Sequence, residues 1–179
     1  MLLDLCGDSS AVLGMQEPVS PGINDWLAEN QTAGADDLLA LGNAQGAVLV
    51  IHPGDRFVQG AHRWDALTQA VGGWGFPVVI DAGTRYFPDS LRAAASQVLL
   101  VTRQCYLSLR RATRLTRPTG AVLVKEDGRV LTPADVESVL GVPIVATVPV
   151  DPAVARAVDA GVLPVRHGDL TAHRFSAIA

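Results

Sequence analysis

Lysine is almost absent from this chain of 179 residues. Other scarce residue types and patterns narrow the classes of protein to which the chain can belong. Lys125 is the only lysine, so arginine supplies every other basic side chain. Cys6 and Cys105 are the only cysteines, and they form no C-x-x-C motif. This cysteine usage argues against a disulfide framework or a zinc site and fits a reducing compartment. We predict that both cysteines are small core residues.

Long apolar runs and a basic leader are also missing. No run approaches the roughly 20 apolar residues that a membrane-spanning helix requires. The formal net charge is -4, which argues against a general nucleic-acid binder because such proteins need many cations for the phosphate backbone. Hydrophobic residues make up 49% of the chain and the mean hydropathy is +0.27, as expected for a sheet covered on both faces.

The stretch from Phe76 to Arg103 predicts the centre of the fold. An apolar run, Phe76 to Ile80, ends at Asp81; an alanine-rich segment follows, and a second apolar run covers Val98 to Val101. Two apolar runs joined by a helix are typical of parallel strands buried on both faces. An aspartate just past such a strand points into the crevice where open α/β sheets bind ligands. The alternative is that Asp81 only caps the next element.

The remaining chain repeats this alternation of strand and helix. Asp4 lies near the end of a first strand, Met1 to Leu5, and further strands are predicted at Ala47–Ile51, Ala121–Val124 and Pro143–Val148. The pattern predicts a doubly wound, mostly parallel sheet with helices on both faces. We assign residues 1–163 to one α/β domain and residues 164–179 to a C-terminal tail.

Four arginines form the densest charge feature. A helix predicted over Tyr106 to Arg117 carries Arg110, Arg114 and Arg117 at positions i, i+4 and i+7, with Arg111 beside them. Such an arginine stripe is usually a solvated helix face; the alternative is a binding site for an acidic protein, DNA phosphates or anionic lipid.

Four segments together resemble the MinD/ParA group of deviant P-loop ATPases. They are VVIDAG at 78–83, the segment at 2–27 with its acidic strand end and short helix, VLLVTRQCYLSLRRATRL at 98–115, and LTPADVESVLGVPIVATVPVDPAVARAVDAGVL at 131–163. Within that group the chain is most similar to the septum-site-determining and CpaE/TadZ-like branch. The resemblance covers nearly the whole chain.

The resemblance implies a P-loop NTPase-like fold that uses Mg-ATP, with Asp4 and Asp81 at the strand ends that hold metal and water ligands. It also implies an N-terminal truncation, because the family's first strand, phosphate loop and first helix would precede Met1. No G-x-x-x-x-G-K-[ST] pattern precedes Lys125, and Lys125 and Glu126 stand where the family carries an adenine-reading asparagine. As given, the chain is expected to bind no cofactor and to leave ATP intact, with Asp4 and Asp81 as vestigial carboxylates.

Two functions stay open from the sequence. The first is a non-catalytic scaffold that positions a division, pilus or secretion assembly through protein contacts, with the arginine stripe as its partner surface and no small-molecule substrate. It would be cytoplasmic, with recruitment to the inner membrane or a cell pole, homodimerisation and DNA contact as further alternatives. The second is an ATPase whose phosphate loop lies upstream of Met1. In the absence of the family's first strand, we expect Val78 to Ile80 to pair directly with Val98 to Val101.

Overall fold

The computed structural model describes residues 1–16, 20–28, 33–54, 63–84, 87–114 and 117–165. They form two compact units, one of Met1–Ala95 with Ala157–Pro164 and one built on Ser96–Arg156. Nearly all of the predicted tail lies outside the described residues, so the domain boundary after residue 163 stays a prediction. Within the described ranges no helix has the length and apolarity to cross a bilayer.

The first unit alternates short strands and helices, as the apolar runs predicted. Its strands are β1 (Leu2–Asp4), β2 (Asn43–Gln45), β3 (Val48–Ile51) and β4 (Val79–Asp81), and its helices are α1 (Ser9–Val12), α2 (Ile23–Ala28), α3 (Ala35–Ala40), α4 (Trp64–Gly73) and α5 (Asp89–Ala94). Leu3, Ile23, Leu27 and Ile51 are fully buried in one core cluster. The sequence also predicts a helix over Phe57 to Val71, and its N-terminal part lies outside the described residues.

The sheet of the first unit has the strand order β2-β3-β1-β4. Strand β1 is parallel to both β3 and β4, while β2 pairs with β3 in antiparallel orientation. Gly46 turns this hairpin with a φ of 59°, a left-handed conformation that glycine adopts without strain. The parallel arrangement brings the carboxyl ends of β1 and β4 to the same edge, and so fixes the position of their aspartates.

The second unit holds a three-stranded parallel sheet of order β5-β6-β7. Its elements are β5 (Leu99–Arg103), α6 (Tyr106–Ala112), β6 (Gly120–Lys125), α7 (Pro133–Leu140) and β7 (Ile144–Pro149); the last helix, α8 (Pro152–Asp159), follows β7. Leu109, Leu123 and Val136 are buried together between α6, α7 and the sheet. Helix α6 ends at Ala112, five residues before the predicted end at Arg117, because Thr113 is its C-cap.

The predicted pairing of residues 78–80 with residues 98–101 is wrong. Strands β4 and β5 belong to different sheets, and each forms an edge of its own sheet. The expectation assumed that unpaired backbone groups would be buried at a cost of about 1–3 kcal/mol each. Val79 is 63% exposed and Val101 is 65% exposed, so water reaches these edges and that cost does not arise. For the same reason the expectation that these two strands are buried on both faces is wrong.

Candidate functional site

Two aspartates lie side by side at the carboxyl ends of adjacent parallel strands. Asp4 at the end of β1 and Asp81 at the end of β4 are direct partners in the strand register. Asp4 is fully buried, whereas Asp81 is exposed. The sequence therefore predicted the placement of both residues correctly, but not the difference in their surroundings.

The carboxylate of Asp4 is surrounded by backbone donors. Its Oδ1 accepts hydrogen bonds from the backbone N–H groups of Cys6 and Gly7, both at 2.8 Å, and its Oδ2 accepts one from Ser9 at 2.9 Å. Ser9 opens helix α1, and its N–H is one of the four that a helix leaves without an internal acceptor. Asp4 thus fixes the turn after β1 and the start of α1, which is a structural role.

Cys6 links this turn to the end of β4. Its thiol lies 3.3 Å from both the backbone carbonyl oxygen and the Oδ1 of Asp81, to which it donates. Asp81 Oδ1 also accepts the backbone N–H of Gly83 at 2.9 Å, which closes a local turn. The alternative was that Asp81 caps the next element, but the next described helix, α5, has Pro88 at its N-cap, so Asp81 does not cap that helix. Cys6 is only partly buried, so the prediction of a small core residue is not met here.

The chemistry of Cys6 is that of a neutral hydrogen-bond donor. Burial, the hydrogen bond to Asp81 and the negative charges of Asp81, Asp4 and Asp8 raise the pKa of the Cys6 thiol to about 12. Ligand atoms of Asp4, Cys6 and Asp81 all lie within 4.8 Å of one another, a spacing at which three side chains could hold a metal ion. A protonated sulfur and a carboxylate already engaged by three amides are poor ligands for a hard cation such as Mg²⁺, which prefers free oxygen atoms.

A second polar cluster lies at the carboxyl ends of β5 and β6. Glu126, only 13% exposed at its side chain, forms ion pairs with both Arg103 and Arg129. These residues and Lys125 line a cavity of about 800 Å³. The position at which the resemblance implied an adenine-reading asparagine is therefore occupied by a carboxylate held between two guanidinium groups.

The arginine stripe is exposed, although its helical register is only partly as predicted. Arg110 and Arg111 lie on α6, whereas Arg114 and Arg117 follow the helix. All four are exposed. Among the described residues, none of them forms an ion pair. Within the described part of the chain, the stripe is exposed positive charge without an ion-pair partner, a state that is compatible with either predicted role.

Several residues of these clusters were not predicted from the sequence. Cys6 was assigned to the core, although its position two residues after Asp4 places it in the same turn. The spacing of Glu126 and Arg129, three residues apart, could have indicated their ion pair. Arg103 ends the neighbouring parallel strand, and the carboxyl ends of parallel strands meet at one edge, so its contact with Glu126 was also accessible. Cys105 is partly buried and caps α6, accepting the backbone N–H of Ser108.

Solved structures resemble this chain over nearly its whole length. The septum site-determining protein MinD of Pyrococcus horikoshii, complexed with Mg-ADP, is similar with a TM-score of 0.64 and 18% identity, over 99% of this chain and 79% of that one. A ParA family ATPase of Chlorobium tepidum gives a TM-score of 0.70 and 14% identity, over 99% and 82% of the two chains. The fold is that of the MinD/ParA ATPases.

MinD in a MinC:MinD cell division complex of Aquifex aeolicus has the same fold, with a TM-score of 0.69 and 16% identity over 99% of this chain and 79% of that one. No protein-family model matches the sequence, and no curated protein matches it. The MinD/ParA resemblance read from the motifs is thus confirmed at the level of the fold, as is the predicted P-loop NTPase-like fold class.

The residues that this MinD/ParA fold brings together do not fit a Mg-nucleotide. A phosphate cradle is made of backbone N–H groups and a lysine, yet Lys125 is the only lysine and lies beside Glu126 at the end of β6. Both carboxylate oxygens of Asp4 are engaged by backbone amides. Of these two aspartates, only Asp81 keeps a carboxylate oxygen outside the hydrogen bonds of the described residues, so the strand ends offer one unengaged oxygen in place of two.

Proposed function

We propose that this protein is a non-catalytic MinD/ParA-like scaffold that positions a division, pilus or secretion assembly through protein contacts. Its place of action is the cytoplasm, with recruitment to the inner membrane or a cell pole. The observation that carries the proposal is the state of Asp4. A residue that would serve a metal or water in an ATPase instead accepts three backbone hydrogen bonds at 2.8–2.9 Å and is fully buried.

The second polar cluster supports the same function. A nucleotide base needs hydrogen-bonding groups that are free to meet its edge. Glu126 instead pairs with Arg103 and Arg129, so the charges of these three side chains satisfy one another. With neither phosphates nor base recognised, the positioning that phosphoryl transfer depends on is missing. A MinD/ParA fold that acts through protein contacts does not require these groups.

A titration with Mg-ATP and Mg-ADP tests this proposal. We expect no heat of binding in isothermal calorimetry and no rise in melting temperature, because a ligand stabilises a fold only when it binds the native state. An Asp81→Ala variant serves as the matched control, since any specific signal at the strand ends would be lost with that carboxylate. Micromolar binding that disappears in Asp81→Ala would refute the scaffold function.

An alternative function is an ATPase whose phosphate loop is supplied by polypeptide upstream of Met1. The observation that favours it is the pair of open strand edges, where Val79 of β4 and Val101 of β5 remain largely exposed. An added strand would cover either edge. The codons preceding Met1 provide the test: a Gly-rich loop with lysine, together with ATP hydrolysis by the extended protein, would favour this alternative. An upstream sequence without such a loop would remove it.

A further inference from the structure

Helix α6 presents two large apolar side chains to solvent. Tyr106 is 71% exposed and Leu107 is 63% exposed, while Leu109 and Ala112 on the opposite side are 4% and 6% exposed. The buried pair explains how the helix is anchored to its unit. It does not explain why a tyrosine and a leucine stand in water at the start of the helix.

Helix geometry places these apolar side chains among arginines. Successive residues of an α-helix are about 100° apart, so Tyr106, Arg110, Leu107 and Arg111 occupy one continuous arc of about 140° in that order. Tyr106 and Arg110 are four residues apart, as are Leu107 and Arg111, and side chains at this spacing are neighbours. We refer to these four residues as the α6 surface. Apolar and basic groups alternate across it.

The charge of the α6 surface is unpaired and local. Among described residues Arg110 and Arg111 form no ion pair, and the exposed Arg114 follows just beyond the helix. The segment 96–156 contains eight arginine and lysine residues against five aspartate and glutamate residues, a formal charge of +3 in a chain whose net charge is -4. The positive charge is therefore concentrated in the part of the chain that carries α6.

We propose that the α6 surface docks an acidic amphipathic helix of a partner protein, whose apolar side chains cover Tyr106 and Leu107 while its carboxylates pair with Arg110 and Arg111. Tyrosine and arginine are the side chains over-represented among residues that dominate binding energy at protein interfaces. A contact with DNA phosphates would use the arginines but would not require the two apolar side chains, whereas an anionic membrane would use both and is therefore tested separately with vesicles. The inference rests on the proposed scaffold function, because it specifies the chemistry of the scaffold's partner.

A synthetic peptide provides the probe. It carries leucines at positions i, i+3, i+4 and i+7 and glutamates on the flanking positions; a scrambled peptide of the same composition keeps the charge and loses the apolar stripe. Fluorescence anisotropy with the full chain should show binding of the first peptide, weakened by salt, and much weaker binding of the second. Equal binding of both peptides, or no binding of either to the folded protein, would overturn the proposal.

Two double variants divide the α6 surface into its components. Arg110→Glu with Arg111→Glu and, separately, Tyr106→Ser with Leu107→Ser should each weaken the peptide about tenfold or more. Arg92→Glu with Arg156→Glu is the matched control, since it changes the net charge by the same amount on α5 and α8, and it should bind as the wild type does. Circular dichroism confirms that each variant is folded. A control that loses as much affinity would show a general charge effect and overturn the proposal.

Cys105 gives a readout specific to the site. It directly precedes Tyr106, and the hydrogen bond between its thiol and the Ser108 hydroxyl, together with the one donated by the Ser108 backbone N–H, lowers the pKa of the thiol. Because Cys105 lies beside Tyr106, a bound peptide should cover the thiol and slow its alkylation. A DNA duplex or phosphatidylglycerol vesicles that protect Cys105 while the peptide does not would overturn the proposal in favour of those partners. Because no nucleotide is involved, failure of this test would leave the Mg-ATP result, and with it the non-catalytic function, unchanged.

Discussion

Replacing Asp4 with alanine should destabilise the fold strongly, because three backbone N–H groups would lose their only acceptor. A buried donor left without a partner costs about 1–3 kcal/mol. The bond from Ser9 is buried, while those from Cys6 and Gly7 are partly buried and would regain some hydration. We therefore expect a loss of about 3–5 kcal/mol in the free energy of unfolding, a large share of the about 5–15 kcal/mol typical of a natural domain.

Asparagine at the same position separates the loss of hydrogen bonds from the loss of side-chain volume. Asp4→Asn keeps one carbonyl oxygen for the amides of Cys6 and Gly7, but its NH₂ group would face the N–H of Ser9. Two donors that face each other cannot bond, so we expect an intermediate loss of about 1–3 kcal/mol. Asp81→Ala is the control: this exposed residue accepts a single backbone N–H, from Gly83, and its loss should cost less than about 1 kcal/mol.

Urea unfolding followed by circular dichroism measures these differences, and the urea dependence should be the same in every variant so that the midpoints can be compared. The order of stability should be wild type, Asp81→Ala, Asp4→Asn and Asp4→Ala. An Asp4→Asn protein as stable as the wild type, or more stable, would refute this reasoning. Ligand-binding carboxylates often cost stability, so that result would indicate that Asp4 is kept for a ligand rather than for the turn.

Four further predictions concern individual side chains. A thiol reagent at neutral pH should modify Cys105 in the native protein and Cys6 only after unfolding. A pKa of about 12 leaves Cys6 with about a thousandfold less thiolate than an ordinary cysteine. Two equally reactive thiols in the native protein would contradict this prediction. Thr132→Ala should cost about 1 kcal/mol by removing the N-cap of α7. Hydrogen bonds from Thr132 lower the pKa of Asp135 in the folded protein. The stabilisation that the Asp135 carboxylate provides should therefore be complete above the ordinary aspartate pKa and lost as pH falls through the folded-state pKa. An Asp135→Asn variant with an unchanged acid-unfolding curve would disprove this prediction. Glu126→Gln should lower the free energy of unfolding by about 1–2 kcal/mol, since Arg103 and Arg129 would then face each other without a carboxylate between them. An unchanged urea unfolding curve would count against a stabilising role for this ion-pair cluster.

The order of strands and helices was predictable because local sequence carries it. Helix α7 is the clearest case: Thr132 caps it, Pro133 occupies its first turn, and Gly141 follows its end with a φ of 68°. Each of these residues acts within a few positions of itself, so no tertiary information was needed. The placement of Asp4 and Asp81 at strand ends followed in the same way, since an apolar run that stops at an aspartate marks the end of a strand.

Features that depend on a partner far along the chain were not predictable. Strand β2, Asn43–Gln45, is short and mostly exposed, so it lacks the apolar pattern by which strands are detected. The runs that form β4 and β5 predicted strands correctly, but an apolar run does not specify which strand it will pair with. The three amides around Asp4 were equally hidden, because a carboxylate that binds a metal and one that binds backbone N–H groups look alike in sequence.

The two candidate functions make opposite demands on Asp4. For an ATPase, Asp4 would have to turn an oxygen towards a metal or water, and each backbone N–H released in that movement would cost about 1–3 kcal/mol unless another acceptor replaced it. An added strand on the open edge of β4 would bring new backbone groups beside Asp81, whereas the N–H of Ser9 is bonded to Asp4 in a buried position. For a scaffold the existing bonds are sufficient, since Asp4 only has to hold the turn that supports α1. The energetic cost of freeing Asp4 therefore supports the proposed scaffold function.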